Sequence, residues 1–255
     1  MYWNGEEVLT ASRGGETYHY STEHIRTNKA LIEFFQEHPT VILDGELYRH
    51  GKTLQQISGA ARMEKNAYDC DWLQYWVYDC YFTDRPDIIA KERQSFLNNN
   101  FPYPTNSAFN EFIEAKIILV DQHSISGEEN IWKLHNNYVS EGFEGCVIRN
   151  PDRPYKPNGR TNDMIKFKNY KSEDFKVIGY ELGRRGSEDM VFVCELEDGR
   201  TFEAMPCGDR ATKEEYVQNF EQKYKGHLAE CTYFNYSDEG KPTQPKLRTF
   251  RFDLE

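Results

Sequence analysis

The sequence predicts an α+β protein of two domains: a larger one of mostly antiparallel sheet with helices, followed by a small β-barrel. Three observations carry this. Apolar residues recur at helical spacing in a few segments and follow strand patterns in more. After Ser172 the texture changes to short strands separated by turns, with one helical stretch among them. The 255 residues are enough to bury two modest cores.

Taking the elements in order, Tyr2 to Ser12 alternate loosely around Asn4-Gly5, a dipeptide that favours a two-residue hairpin turn. Thr27, Leu31, Phe34, Phe35 and His38 recur at helical spacing and stop at Pro39, which predicts an amphipathic helix. Residues 41–48 read as a strand. So do residues 72–82, rich in aromatic and β-branched side chains and expected to be buried. A helix is expected over 85–97 and a loop over 98–106, where an Asn run meets two prolines. Residues 115–120 form an apolar strand. Ile131, Leu134, His135, Tyr138 and Val139 share one face of a helix ending near Gly142. Strands over 146–149 and 164–168 flank a connector rich in Pro, Gly and Asn. Beyond it come short strands at 176–181, 190–195, 201–205, 228–236 and 248–252, with a helix over 211–220. Five short strands and one helix suit a barrel of the oligonucleotide-binding type. The domain boundary is expected near Lys171 to Asp174.

Composition narrows the function classes. With 16 Phe and 17 Tyr the chain is far from the aromatic-poor composition of disorder. No apolar run approaches the roughly 20 residues a membrane-spanning helix needs. The six cysteines form no CxxC pair and no secretory leader is evident, so they read as reduced thiols of a cytoplasmic protein. The net charge of -11 argues against a polyanionic partner, but its distribution is uneven. From Arg149 to Arg185 ten basic residues, Arg160 among them, face five acidic ones, a local +5 that leaves -16 for the remainder. A basic nucleic-acid surface and a solvated loop-rich face both fit that pattern.

Four short motifs carry candidate chemistry. In Val41-Ile-Leu-Asp-Gly-Glu-Leu-Tyr48, Asp44 and Glu46 point to the same side of a strand, where a metal ion or sugar hydroxyls would offset the cost of burying them. In Glu144-Gly-Cys-Val-Ile-Arg149, Glu144 opens a strand and supplies a hard oxygen suited to Mg²⁺. In Met164-Ile-Lys-Phe-Lys168, the ammonium groups of Lys166 and Lys168 lie on one side and repel unless an anion such as a triphosphate sits between them. In Ser12-Arg13-Gly14-Gly15, an arginine fork suited to phosphate precedes two glycines that permit close backbone approach. Taken singly, each motif has an ordinary structural reading: an exposed edge, a strand terminus, a surface strand or a hairpin end.

Their order is more specific. SRGG, then LDGELY, then Tyr75-Trp-Val-Tyr-Asp79, then EGCVIR, then a Tyr-Lys-Pro connector and MIKFK resembles the signature series of the covalent nucleotidyltransferases, which comprise ATP-dependent DNA ligases, RNA ligases and capping enzymes. The EGCVIR form and the following barrel resemble DNA ligases most. The resemblance implies an ATP-grasp-like adenylation domain over residues 1–172 and an OB-fold domain over 173–255. It also implies ATP and Mg²⁺ as cofactors and nicked duplex DNA as the partner of a monomer. Arg13 would contact phosphate or the nick, Glu46 the ribose and, with Glu144, the metal. Tyr78 would stack on adenine, Lys166 and Lys168 would bind phosphate, and Arg248 and Arg251 would serve DNA or the reaction with ATP.

The departure from the family pattern lies upstream. The nucleophilic lysine of the family sits in a KxDG element ahead of the arginine motif, and none of the twelve residues before Arg13 is lysine. Lys156-Pro-Asn-Gly159 matches KxDG formally but falls after EGCVIR, in the connector. The expectation is a ligase truncated before its nucleophile and unable to adenylylate itself, from a bacterial or phage-infected cell. An RNA ligase of the same superfamily and a degenerate nucleotide- or DNA-binding module are the alternatives.

Overall fold

Val41–Tyr48 (β3) and Gln74–Phe82 (β4) form the central antiparallel pair of a five-stranded sheet, built where runs of β-branched and aromatic residues are longest. In the computed structural model the described residues are 1–65, 67–105, 115–159 and 161–252; Arg160, named above, and the last residue of the loop expected over 98–106 lie outside them. The chain divides into two compact units, Met1–Phe167 and Lys168–Glu255.

In the first unit Tyr2–Trp3 (β1) and Val8–Leu9 (β2) extend one edge of the sheet. Ile117–Leu119 (β5) adds a parallel strand at the other, giving the order β2-β1-β3-β4-β5. One face is apolar. Val41 and Leu43 of β3, with Tyr75, Val77, Cys80 and Phe82 of β4, meet Leu31, Phe34 and Phe35 of Lys29–Glu37 (α2) and Leu97 of Ala90–Asn100 (α4). A four-residue helix, Glu23–Arg26 (α1), precedes α2, and Leu54–Ala61 (α3) follows β3. Gly145–Arg149 (β6) and Met164–Lys168 (β7) make a separate two-stranded sheet. It is backed by Glu128–Ser140 (α5), where Trp132 and His135 pack on Phe167 with ring centroids 4.5 and 4.8 Å away.

The second unit is a closed barrel of five strands in the order β10-β12-β11-β8-β9: Lys171–Gly183 (β8), Gly186–Glu195 (β9), Thr201–Pro206 (β10), Leu228–Tyr233 (β11) and Lys246–Arg251 (β12). β10 and β12 run parallel and the other neighbours antiparallel. Arg210–Gln218 (α6) follows β10, its first turn capped by Asp209, which accepts from the Thr212 amide at 2.9 Å. The interior holds Val177, Phe192, Cys194, Ala229, Cys231 and Leu247, all fully buried. No helix among the described residues is long and apolar enough to cross a membrane.

Several sequence expectations are corrected. The first turn spans four residues, because the Asn4 side chain accepts from the Glu6 and Glu7 amides and closes a wider loop than a two-residue turn. α2 begins at Lys29: Thr27 is outside it, and Asn28 caps it by accepting from the Ala30 amide. α4 starts five residues later than expected and runs through the asparagines. Its first amides are taken by the connector, Ala90 donating to Arg153 O at 2.9 Å and Lys91 to Pro151 O at 3.0 Å. At the other end the Asn98, Asn99 and Asn100 side chains bond back one turn and prolong the helix. Phe167 packs inward while Ile165, expected on the same side, is 57% exposed, so β7 shows only part of the predicted alternation. α3 escaped the periodicity reading although Thr53 and Gln56 form a capping box at its start.

Candidate functional site

The face of the central sheet opposite the core carries the polar side chains. Alternation along β3 brings Asp44, Glu46 and Tyr48 to it, and Glu46 stands opposite Trp76 on β4. The pairing then slips. Asp44 pairs with Asp79 and Gly45 with Val77, which leaves Tyr78 as the unpaired residue of a β-bulge. A bulge re-aims a side chain and exchanges the faces of the residues beyond it. Here it keeps Val77 and Cys80 both in the core while Tyr78 joins the acidic face. Gly45 is the only residue type that fits opposite the bulge, since a Cβ there would lie 2.6 Å from Trp76 O and 2.7 Å from the Tyr75 ring.

Tyr78 marks where three elements meet. Burial raises its phenol above the ordinary tyrosine range, the Asp44 and Glu46 carboxylates push it further, and the Arg13 guanidinium pulls it back. Arg13 is exposed at the tip of a tight turn. The Ser12 side chain accepts there from the Gly14 and Glu16 amides at 3.2 and 3.0 Å, and Gly15 takes a φ of +85°. Tyr48 records a second meeting. Its phenol is pushed up to about 12, by burial first and then by Glu46 and Glu144. Glu144, just ahead of β6, thus lies near enough for its charge to act on Tyr48. The residue before it, Phe143, fixes it there by packing on His50 and Trp76, 4.8 and 6.0 Å between centroids.

Beneath this face Asp79 is only 3% exposed and carries a charge network that sequence patterning missed. It accepts from Arg93 of α4 through both oxygens, at 2.9 and 3.0 Å, and from Arg149 at the end of β6. Two guanidiniums thus tie helix and second sheet to the strand that bears Tyr78, with the fork geometry that suits a buried carboxylate.

Arg13 and Glu46 lie close enough to Tyr78, and Glu46 and Glu144 to Tyr48, for their charges to act on those phenols. Lys166 is exposed on β7, the partner strand of β6. Lys168 has its ammonium 5.2 Å from the Phe234 ring centroid. Arg248 and Arg251 belong to the barrel. Arg248 donates to Thr232 Oγ1 at 2.9 Å, and Arg251 pairs with Asp174 and Glu230 at 3.3 and 2.9 Å. Among the described residues no group of three or more His, Cys, Asp or Glu side chains is arranged to hold a metal ion.

Residues 1–168 match the family model described as the ATP dependent DNA ligase domain, and the chain belongs to that family. It is 31% identical over 171 residues to a DNA ligase of African swine fever virus, an alignment covering 65% of this chain and 38% of the viral protein. It is 22% identical over 190 residues to a DNA ligase of Haemophilus influenzae, covering 74% and 62% respectively. The chain thus spans less than two thirds of these relatives. Among solved structures, one from a study of DNA binding by Lig E DNA ligases superposes with a TM-score of 0.66 at 16% identity, over 98% of this chain and 87% of that one. The bacteriophage T7 ATP-dependent DNA ligase in complex with ATP gives 0.53 at 18%, with the same coverage. These likenesses establish the fold.

Proposed function

We propose that this chain handles ATP-derived adenylate and nicked duplex DNA as part of an ATP-dependent DNA ligase, with the β3–β4 face as its nucleotide site. The bulge that turns Tyr78 out of the β3–β4 ladder onto the side of Asp44 and Glu46, with Arg13 close enough for its charge to act on that phenol, is the observation that carries the reading. Residues 1–172 act as the adenylation domain and 173–255 as an OB-fold domain. The OB-fold assignment is supported by a closed barrel in which the third and fifth strands run parallel and a helix separates the third from the fourth.

In this reading Tyr78 stacks on adenine, Glu46 accepts from the ribose, and Lys166 and Lys168 neutralise phosphate. Arg13 holds phosphate or the nick, and Arg248 and Arg251 serve DNA. Glu46 and Glu144 would hold a Mg²⁺ ion of the kind bound by one or two carboxylates with phosphate oxygens completing the shell, the hard oxygen donors such an ion takes. When bound, the ion would neutralise charge on the transferring phosphate. Around it the chain's own side chains position and stabilise. A fixed set of cations and dipoles suits phosphoryl-type transfer. Joining follows when the nick's 3′-oxygen attacks the 5′-phosphorus, a P–O bond forms, the bond to AMP breaks and AMP leaves with its electron pair. The protein works as a monomer in the cytoplasm.

The covalent first step needs a lysine, and the twelve residues ahead of Arg13 contain none. The 255-residue polypeptide therefore seals a pre-adenylylated nick but does not label itself. Incubation with α-labelled ATP and Mg²⁺ should leave no radioactive band, while nicked duplex carrying a 5′-adenylate should be joined. A labelled band overturns the first statement; a folded sample that joins nothing overturns the second. Nicked RNA serves as the poor substrate in the same assay.

A further inference from the structure

The connector between β6 and β7 has the composition of a loose loop, yet its first half is fastened to the protein. Besides the two amide bonds from α4, Pro154 forms a β-bridge with Ile89, and Lys91 pairs with Asp152 at 2.8 Å. These ties deliver one aromatic side chain, Tyr155, back to the central sheet. Its phenol donates to Asp44 Oδ2 at 2.7 Å, its ring lies 5.5 Å from that of Tyr81, and the Arg93 guanidinium sits 5.5 Å from its centroid. The side chain is half-buried. Asp44 also stands opposite Asp79, next to the bulged Tyr78, and its charge pushes that phenol up.

This arrangement has a direct consequence for the bulge. Tyr78 has no partner in the β3–β4 ladder, so its ring direction depends on side-chain neighbours, and Asp44, which faces the adjacent Asp79, is one of them. Asp44 itself is held by Tyr155. We propose that Tyr155 is a positioning residue which, through Asp44, fixes the Tyr78 ring in the orientation that stacks on a nucleobase. The proposal rests on the nucleotide reading of this face. A hydrogen bond to a charged acceptor is strong enough for its loss to be read in binding, and a pre-set ring loses less freedom when the base arrives.

The test compares two ligands that differ in the base. ATP and inorganic tripolyphosphate are titrated into the 255-residue chain with Mg²⁺, and heat is recorded. Tyr155→Phe should weaken ATP binding about tenfold, on the order expected for one charge-assisted bond, and leave tripolyphosphate binding unchanged. Asp44→Asn, which keeps the side-chain shape, should show the same base-selective loss. Combined with Tyr155→Phe it should add little, since both act on one ring. Tyr103→Phe, which removes a phenol bonded to Asn28 in the same unit, should change neither ligand. If Tyr155→Phe and Asp44→Asn lower both ligands alike, or neither, the positioning role is overturned while nucleotide binding stands. If the unmodified chain binds neither ligand, the nucleotide site falls and the inference with it.

Discussion

Strand β10 of the barrel and the β3–β4 pair of the central sheet solve the same strand problem in opposite ways. In β10 every second residue is buried, the strand alternates without interruption, and the cavity it lines is filled by apolar side chains. In β3 and β4 the alternation breaks at Tyr78. The face away from the core collects carboxylates and phenols, and a buried Asp79 is compensated by two arginines. The departure is not confined to the central sheet, since β8 shifts register between Val177 and Gly179, but in the first unit it is lined by carboxylates and phenols.

All 4 tryptophans, at positions 3, 72, 76 and 132, lie in the first unit, so their fluorescence reports that unit alone while amide exchange follows the barrel. The largest expected effect is from Asp79→Ala. It leaves Arg93, itself 3% exposed, without its carboxylate and should cost about 3–5 kcal/mol of first-unit stability. Denaturant unfolding followed by tryptophan fluorescence checks this, and equal loss of barrel protection would break the contrast. Gly45→Ala should cost about 1–3 kcal/mol by overpacking. Gly179→Ala in the barrel, where a Cβ would meet Val193 at an ordinary 3.7 Å, should be nearly silent.

Alkali offers a third probe. The Cys80 thiol is pushed up to about 12, by burial first and by Asp79 next, and Tyr48 is pushed to the same level. Groups whose folded pKa is raised contribute fully below their unfolded values and lose that contribution as pH rises through the folded ones. First-unit stability should therefore hold below about pH 9, the ordinary thiol range, and fall steadily towards pH 12. A Cys80→Ala variant should show a shallower decline. Glu46→Gln and Glu144→Gln, both exposed, should leave stability within about 0.5 kcal/mol while weakening Mg²⁺-dependent ATP binding. Arg251→Gln should cost at most about 1 kcal/mol, because its pairs with Asp174 and Glu230 are part-exposed.

Much of the fold could be read in advance. β3, β6 and β7 lie where runs of apolar and β-branched residues put them, and the barrel strands where turn residues separate them. Errors gathered where side chains compete with the backbone: Asn4 widening a turn, three asparagines prolonging α4, the connector taking the first amides of that helix. Of the candidate site, the expected residue types were legible as motifs. The support behind them was not, because Asp79, Arg93, Arg149 and Tyr155 are far apart in the chain and carry no period.

The order of motifs, the polarised charge and the residue types at the candidate positions were determined by the sequence itself, since each is a local property of neighbouring residues. Only the tertiary structure decided that Tyr78 leaves the ladder, that Gly45 must face it, and that Tyr155 returns to Asp44 from more than a hundred residues away. A bulge and a long-range hydrogen bond are settled by which segments pack together, and packing is a property of the whole chain.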